Sequence, residues 1–163
     1  MKDEMSIYLV GYIHGKVIDK CMAWRKKIRD HYDNWKGTGQ KYPLVWIDPC
    51  NGSEVFNLSL DGLKSAMPAN AIVHKDYNSV VNADIIIANM DTFGEERPLT
   101  GSICELAWAW DKHKPIIMIT DEDKYRLHPF MSYFASWIVS SVDELLEKKI
   151  INELYKSIHS AQY

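Results

Sequence analysis

Short runs of consecutive apolar residues recur along the chain and predict buried strands. Each run is four or five residues long, which is typical of a strand and too short for a helix. The runs lie at residues 6–10, 44–47, 85–88, 115–119 and 136–139. The run at 85–88 contains no polar residue, as is typical of a strand that is covered on both faces.

Apolar residues between these runs recur at spacings of three and four, the pattern of an amphipathic helix. The clearest helix starts near residue 17 and is expected to end at the glycines near residue 37. Two more helices are predicted at 76–82 and 103–112. Because strands alternate with helices and the central strands are apolar throughout, the pattern indicates an α/β domain with a parallel sheet.

Two stretches have less regular patterns. Ser141 and Glu144 match a capping box, which predicts the start of a last helix that reaches Ile158. Residues 50–75 contain Asn-Gly and Asp-Gly pairs that break regular structure, and the expectation within them is a helix at 59–67. The sequence has no internal repeats, and its length of 163 residues predicts one domain at 1–163.

Composition excludes several classes of protein. The formal net charge of −3 lacks the basic excess of a nucleic-acid-binding protein, and no apolar stretch is long enough to span a membrane. Cys21, Cys50 and Cys104 are odd in number and far apart, so neither a disulfide framework nor a zinc site is expected, and the cytoplasm is the expected location. Six Trp and nine Tyr indicate an aromatic core, aromatic interfaces or a flat ligand.

Ligands of open parallel sheets bind beyond the carboxyl ends of the strands. The first of these ends carries Gly11, Tyr12, His14, Gly15 and Lys16. The glycines allow a ligand to approach the backbone, and the two basic residues can contact an anion. The glycine spacing matches neither a P-loop nor a dinucleotide fingerprint, so an ordinary strand-to-helix turn is the better interpretation of this loop taken alone.

Two carboxylates at these strand ends are candidates for chemistry on a sugar. Gly101 and Ser102 lead into a helix whose first turn contains Glu105, where the helix dipole favours an ionised carboxylate that can attack an electron-poor sugar carbon. Asp76 can assist by passing a proton to a leaving group. Both residues also have a simpler interpretation, Glu105 as part of a capping box with Ser102 and Asp76 as a helix N-cap, and spacing alone favours it.

Other polar and apolar residues follow the later strands. Asn89 and Asp91 come directly after the third strand, where a ligand-facing group is expected. His128 and Met131 follow an acidic turn, and a Met there can cover a flat base, with core packing as the alternative. Cys104 is expected to be buried and inert, because no His lies near it in the sequence.

Several segments, in this order and spacing, resemble the nucleoside 2-deoxyribosyltransferase superfamily, which also contains nucleoside 5′-monophosphate N-glycosidases. Residues 101–109 are similar to its Gly-x-x-x-Glu-Leu-Gly-x-Ala signature, except that Ala107 replaces the second Gly. Trp24 and Arg25 are similar to a Trp-Arg pair on the first helix. The other matching segments are 7–11, 75–86, 115–119 and 129–132.

The resemblance implies a flavodoxin-like or Rossmann-like three-layer α/β fold with a parallel sheet of about five strands. It implies Glu105 as nucleophile, Asp76 as the residue that contacts the sugar and assists departure of the base, and Tyr8 as the residue that orients the nucleophile. It implies no cofactor and no metal, a nucleoside and a free base as small-molecule partners, and a homo-oligomer. The residues expected to bind substrate are Gly11, Tyr12, Asn89, Asp91, Gly101, Ser102, His128 and Met131.

The first choice of function is therefore a nucleoside 2′-deoxyribosyltransferase that works through a covalent deoxyribosyl-Glu105 intermediate. The alternatives are an N-glycosidase of a nucleoside or nucleoside 5′-monophosphate, and a non-catalytic nucleotide-binding protein. Leu99 stands where transferases often carry an Asp, which leaves Asp91 to contact the base. Pro129, with His128 beside it, stands where some transferases lend an Asn to a neighbouring subunit, and the loop at 92–98 is longer than in the best-known members.

Overall fold

A five-stranded parallel sheet forms the centre of the molecule. The computed structural model describes residues 4–33, 43–50, 56–59, 62–65 and 68–160. Within these, the strands are β1 (Met5–Gly11), β2 (Leu44–Ile47), β3 (Phe56–Ser59), β4 (Gly62–Ser65), β5 (Ile85–Asn89), β6 (Ile116–Ile119) and β7 (Trp137–Val139). The order across the sheet is β2-β1-β5-β6-β7, and β3 and β4 form a separate antiparallel pair.

Seven α-helices lie within the same described ranges, together with a 3₁₀ turn at Gly15–Val17. They are α1 (Ile18–Asp33), α2 (Ala69–Asn82), α3 (Thr100–Asp111), α4 (Asp123–Arg126), α5 (Pro129–Phe134), α6 (Val142–Glu147) and α7 (Ile150–Ser160). No helix in the described part of the chain is long and apolar enough to cross a membrane.

Alternation along the central strands divides the core into two halves, one on each face of the sheet. Successive side chains of a strand point to opposite faces. Ile7 and Ile87 therefore pack with α1, α6 and α7, whereas Tyr8 and Ile86 pack with α2, α3 and α5. The result is the three-layer α/β fold expected from the resemblance, with Tyr8 on the face that α2 and α3 cover.

Strand order reverses between β1 and β5. β1 pairs with β2 on one side and with β5 on the other, and its last residue, Gly11, lies opposite Asn89 at the end of β5. In open parallel sheets this reversal creates a crevice at the carboxyl ends of the strands. The topology thus directs the search for a site to the ends of β1 and β5.

Three predicted elements differ from the structure. The helix expected at 59–67 is wrong, because β3 and β4 occupy that stretch, and the apolar–polar alternation from Phe56 to Ser59 is the strand pattern that indicates it. The helix expected at 76–82 begins earlier, at Ala69. The last helix is two, since Lys149 adopts a left-handed φ of 51° between α6 and α7. The predicted end of the first helix near residue 37 lies outside the described residues.

Candidate active site

Three polar side chains from three elements meet on the α2–α3 face of the sheet. Tyr8 comes from β1, Glu105 from α3 and Asp76 from α2. The Tyr8 hydroxyl donates a 2.5 Å hydrogen bond to Oε1 of Glu105, and both residues are buried, at 1% and 8% exposed. Asp76 lies close enough to Tyr8 and Glu105 to change the pKa of each. The arrangement is a buried carboxyl bonded to a phenol, with the half-buried carboxyl of Asp76 nearby.

This cluster lines a pocket of about 380 Å³ at the carboxyl end of β1. Its volume is within the range of small-molecule sites, about 300–1,000 Å³. The walls are the end of β1 and the loop after it, one side of α2, and the start of α3 with the loop before it. The lining residues are Tyr8, Gly11, Tyr12, Ile13, Pro49, Asp76, Arg97, Pro98, Leu99, Thr100, Gly101, Ser102 and Glu105.

Burial controls the protonation of the cluster. Desolvation raises the pKa of Glu105 from 4.5 to about 7, the hydrogen bond from Tyr8 opposes that rise, and the charge of Asp76 adds to it. Burial also raises the pKa of Asp76 and, together with the Glu105 charge, that of the Tyr8 phenol far above its ordinary value. Tyr8 is therefore always a hydrogen-bond donor, while Glu105 changes charge near neutral pH.

The structure contradicts the capping interpretations of both carboxylates. α3 begins at Thr100 with Leu99 as its N-cap, no side chain caps it, and Glu105 lies in the second turn bonded to Tyr8. Asp76 is in the middle of α2, seven residues after Ala69, because the helix starts directly after Pro68. Neither carboxylate caps a helix end: Glu105 accepts from the Tyr8 hydroxyl, and Asp76 lies 3.8 Å from Nζ of Lys75.

Gly11 is required by close packing at the end of β1. A Cβ at this position would lie 3.0 Å from Cζ2 of Trp24 and 3.1 Å from the carbonyl oxygen of Asn89. The fully buried Arg25 donates from Nη2 to the Gly11 carbonyl at 3.1 Å, and its Nε lies 3.5 Å from Asp48. The Trp-Arg pair on α1 therefore holds the first loop against the sheet.

Seven of the sequence-predicted site residues line this one pocket: Tyr8, Gly11, Tyr12, Asp76, Gly101, Ser102 and Glu105. The other four lie outside its lining. Asn89 accepts from the amide of Asp91, and Asp91 accepts from the amide of Phe93, so both carboxamide and carboxylate oxygens hold the loop after β5. Their expected contacts with substrate stay predictions.

His128, the N-cap of α5, and Met131, on the buried side of α5, also lie outside the lining of the pocket. Met131 is buried in the core beside α3, in agreement with the core-packing alternative for this residue. His128 is exposed, with its ring 6.2 Å from that of Phe130. Cys104 is exposed on α3, and the expectation of a buried thiol is wrong because its neighbours on the inner face are Glu105 and Leu106.

Arg97 lines the pocket and was not among the expected site residues. Its Nη2 donates to the carbonyl oxygen of Ile13 at 2.6 Å, and its guanidinium lies 5.1 Å from the centre of the Tyr12 ring. It belongs to the loop at 92–98, whose extra length was the only sequence feature that pointed to it. Position in the chain did not show that this loop folds over the loop after β1.

The described residues contain no group of three or more His, Cys, Asp or Glu side chains placed to hold a metal ion. The polar groups that the pocket itself offers for chemistry are the two carboxyls, the phenol and the donors around them. A buried carboxylate that is oriented by one donor, with a second carboxyl beside it, can form and break a bond to a sugar carbon.

Comparison with known proteins assigns the family. Residues 21–152 match the family model described as nucleoside 2-deoxyribosyltransferase, and the chain belongs to this family. This is the family that the resemblance predicted.

The individual relatives are distant. The uncharacterized protein YtoQ of Bacillus subtilis (strain 168) is 24% identical over 154 residues, covering 88% of this chain and 93% of that protein. Among solved structures, the CMP N-glycosidase BcmB of Clostridium botulinum has a TM-score of 0.54 at 15% identity, covering 90% of this chain and 98% of that one. A 2-desoxiribosyltransferase from Leishmania mexicana has a TM-score of 0.48 at 22% identity, with 74% and 71% covered. The likeness to BcmB confirms the fold class.

Proposed function

We propose that the protein is a nucleoside 2′-deoxyribosyltransferase with Glu105 as its nucleophile. The observation that carries this proposal is the buried Glu105 carboxylate, held by the Tyr8 hydroxyl at 2.5 Å with Asp76 beside it in one pocket. A single fixed donor leaves the other carboxylate oxygen of Glu105 free to approach the anomeric carbon of a sugar. The family membership of the chain supports the same reaction class.

The reaction has two half-steps. In the first, an oxygen of Glu105 bonds to C1′ of a 2′-deoxynucleoside while the C1′–N bond breaks and its electron pair leaves with the base. Asp76, whose pKa is raised by burial, is suited to donate the proton that neutralises the base. In the second, a nitrogen of another base attacks C1′, the Glu105 ester bond breaks, and the proton returns to Asp76.

Tyr8 acts on the nucleophile without reacting itself. Its hydroxyl fixes the Glu105 carboxylate in one orientation and stabilises the ionised form, and it never becomes an acid because its own pKa is so high. When the ester forms, the negative charge of Glu105 is lost. Tyr8 thereby acts most strongly before attack and after release, when the carboxylate is free.

Incubation with a deoxynucleoside, with and without a second free base, tests the proposal. Chromatography of the products is expected to show a new deoxynucleoside only when the second base is present. Free base and deoxyribose as the main products in both cases would overturn the transferase in favour of the N-glycosidase, in which water is the acceptor. Absence of turnover with unchanged ligand binding would indicate the non-catalytic nucleotide-binding protein.

Glu105→Gln is the matching variant, because the amide keeps the shape but removes the nucleophile. We expect a loss of at least about a thousandfold in kcat, and intact-protein mass spectrometry is expected to show a deoxyribosyl adduct on the wild type only. Asp111→Asn is the control, since Asp111 carries the same charge on the same helix but is exposed. Equal activity of the two variants would exclude Glu105 as nucleophile.

We also propose that the protein acts as a homo-oligomer. Exposed aromatic side chains of α3 and α5 lie together, with Trp110 5.6 Å and 6.0 Å from Phe134 and Tyr133 between ring centres. Phe130 and Tyr133 are 65% and 74% exposed. A patch of this kind is typical of a surface that another chain covers, and a second copy is the partner that the resemblance implies.

A further inference from the structure

A fully buried cation lies behind the pocket, at the end of β1. The side chain of Arg25 is 0% exposed, and its guanidinium lies 4.6 Å from the centre of the Trp24 ring. Its Nη2 donates to the Gly11 carbonyl at 3.1 Å, and its Nη1 donates to the Cys21 carbonyl. Gly11 lines the same pocket as Glu105. The guanidinium therefore contacts the wall of the pocket from the outside.

Two arginines share the one acid that lies beside this cation. The side chain of Asp48 is 1% exposed and lies 3.5 Å from Nε of Arg25 and 2.8 Å from Nη1 of Arg29. Nε of Arg25 forms no hydrogen bond within the described part of the chain, so its contact with Asp48 is an ion pair alone. The thiols of Cys21 and Cys50 add no negative charge, because burial raises the pKa of both. The cluster of two arginines and one aspartate is consequently positive.

Helix α1, helix α2 and strand β1 each direct titratable or charged groups towards Glu105. β1 contributes the Tyr8 hydroxyl, α2 contributes Asp76 and Lys75, and α1 contributes Arg25. Nζ of Lys75 lies 3.8 Å from Asp76, so these two charges oppose each other at Glu105. Lys75 is also 40% exposed and screened by water, whereas the fully buried Arg25 is screened much less. Burial raises the pKa of Glu105, and the charge of Arg25 opposes this rise.

We propose that Arg25 is a positioning residue whose buried positive charge stabilises the Glu105 carboxylate across the end of β1. The proposal rests on the proposed function, in which Glu105 must be ionised to attack. Arg25 is outside the pocket lining, so it touches no reacting atom. A further cation does not stabilise the positive charge that develops on the sugar as the base leaves. The effect of Arg25 is therefore on the pH at which the site becomes active, and less on the maximal rate at high pH.

The pH profile of kcat/KM separates this electrostatic role from a structural one. Arg25→Gln keeps a donor for Gly11 but removes the charge, and its midpoint is expected to lie about half to one pH unit above that of the wild type. This shift lowers kcat/KM by about two- to fivefold at pH 7 and hardly at all at pH 9. Arg25→Lys keeps the charge and is expected to keep the wild-type midpoint. Arg29→Gln is the matched control, because it removes a cation from the same aspartate, and its midpoint is expected to move by much less.

Asp48→Asn tests the sign of the effect. It leaves both arginines without their acid, so the midpoint is expected to move to lower pH. Looser packing would expose Glu105 to water and lower the midpoint in Arg25→Gln as well, so opposite shifts identify the charge as the cause. The double variant with both substitutions is expected to have a higher midpoint than Asp48→Asn. It provides the same comparison if Arg25→Gln does not fold.

Carbon-13 NMR of the glutamate carboxyls measures the ionisation of Glu105 without turnover, with Glu105→Gln to assign the signal. We expect the same order of midpoints as in the kinetics. Equal midpoints in wild type and Arg25→Gln, a lower midpoint in Arg25→Gln, or an equal rise in Arg25→Gln and Arg25→Lys would overturn the role of the Arg25 charge. The expected NMR shifts in a protein that turns over no nucleoside would support that role and overturn the proposed function instead.

Discussion

The carboxyl of Glu105 is harder to ionise than a carboxyl in water because it is buried. Burial is the largest influence and raises its pKa to about 7, while the Tyr8 hydroxyl stabilises the charged form. A nucleophile must be ionised to attack, so the environment sets the pH at which the site becomes competent. Two of our expectations follow from this single residue.

The first concerns the rate. We expect kcat/KM to rise with pH and level off above about 7, as Glu105 loses its proton. Tyr8→Phe removes the donor that stabilises the carboxylate, so the midpoint moves to higher pH and the maximal rate falls by about tenfold or more. Tyr125→Phe, at a tyrosine outside both the pocket lining and the aromatic patch, is the control. A midpoint unchanged in Tyr8→Phe would show that another group controls the rate.

The second concerns stability. Because the pKa of Glu105 is higher in the folded protein than in the unfolded chain, the folded state binds more protons between pH 4.5 and about 7. The free energy of unfolding therefore falls as pH rises through this window, by on the order of 3 kcal/mol from this group. The side chain in Glu105→Gln cannot ionise, so the free energy of unfolding of this variant does not fall in this window because of residue 105. Urea titrations at pH 5 and pH 8 are expected to show the variant more stable than wild type only at pH 8, and parallel profiles would contradict this.

At the scale of elements, the packing at the end of β1 depends on the close approach of α1. Gly11 leaves room for Trp24, and its carbonyl accepts from Arg25. Arg25 and Arg29 both pair with Asp48, which lies just after β2 and is almost fully buried. The ion pairs join α1 to the end of β2, and the hydrogen bond from Arg25 joins it to the end of β1, where Gly11 lines the pocket.

Alanine substitutions at two glycines distinguish the effect of close packing at Gly11 from the general effect of replacing glycine by alanine. Gly11→Ala places a Cβ 3.0 Å from Trp24 and 3.1 Å from a backbone oxygen, so we expect a loss of about 1–3 kcal/mol in the free energy of unfolding and a large loss of activity. Gly101→Ala has open space around its Cβ, and its stability is expected to stay equal or to rise slightly. Chemical denaturation of both variants measures the difference; equal losses would show that the contact with Trp24 is unimportant.

At the scale of the whole molecule, the patch formed by Trp110, Phe130, Tyr133 and Phe134 is expected to lie between copies of the chain. Tyr133→Glu places a charge in this patch, and we expect sedimentation to show smaller assemblies for it than for the wild type. The melting temperature of the isolated chain is expected to change little, since Tyr133 is 74% exposed. A wild-type protein that sediments as a monomer would contradict the proposed oligomer.

Local patterns in the sequence were sufficient for the sheet and for the family. The apolar runs at 85–88 and 115–119 predict β5 and β6, because a strand that is buried on both faces consists almost entirely of apolar residues. The segments around Glu105 and Asp76 indicated the family before any distance was known. The ends of the elements were harder to predict. Helix α2 begins directly after Pro68, earlier than expected, and the left-handed Lys149 divides the last helix. Both boundaries depend on backbone geometry that the residue type only weakly restricts.

The sequence by itself determined which residues are candidates for the chemistry, since residue type and order suffice to identify a carboxylate at a strand end. Only the tertiary structure decided which of them act together. Tyr8 and Glu105 are 97 residues apart and meet because α3, which follows β5, packs on the face of the sheet to which Tyr8 points. Asn89 and Asp91 lie at the end of β5 and directly after it, yet their oxygens bind local amides, and Arg97 reaches the pocket through the fold of its loop. The partner that each side chain binds depends on the groups around it in the folded chain, and a local sequence pattern does not specify these groups.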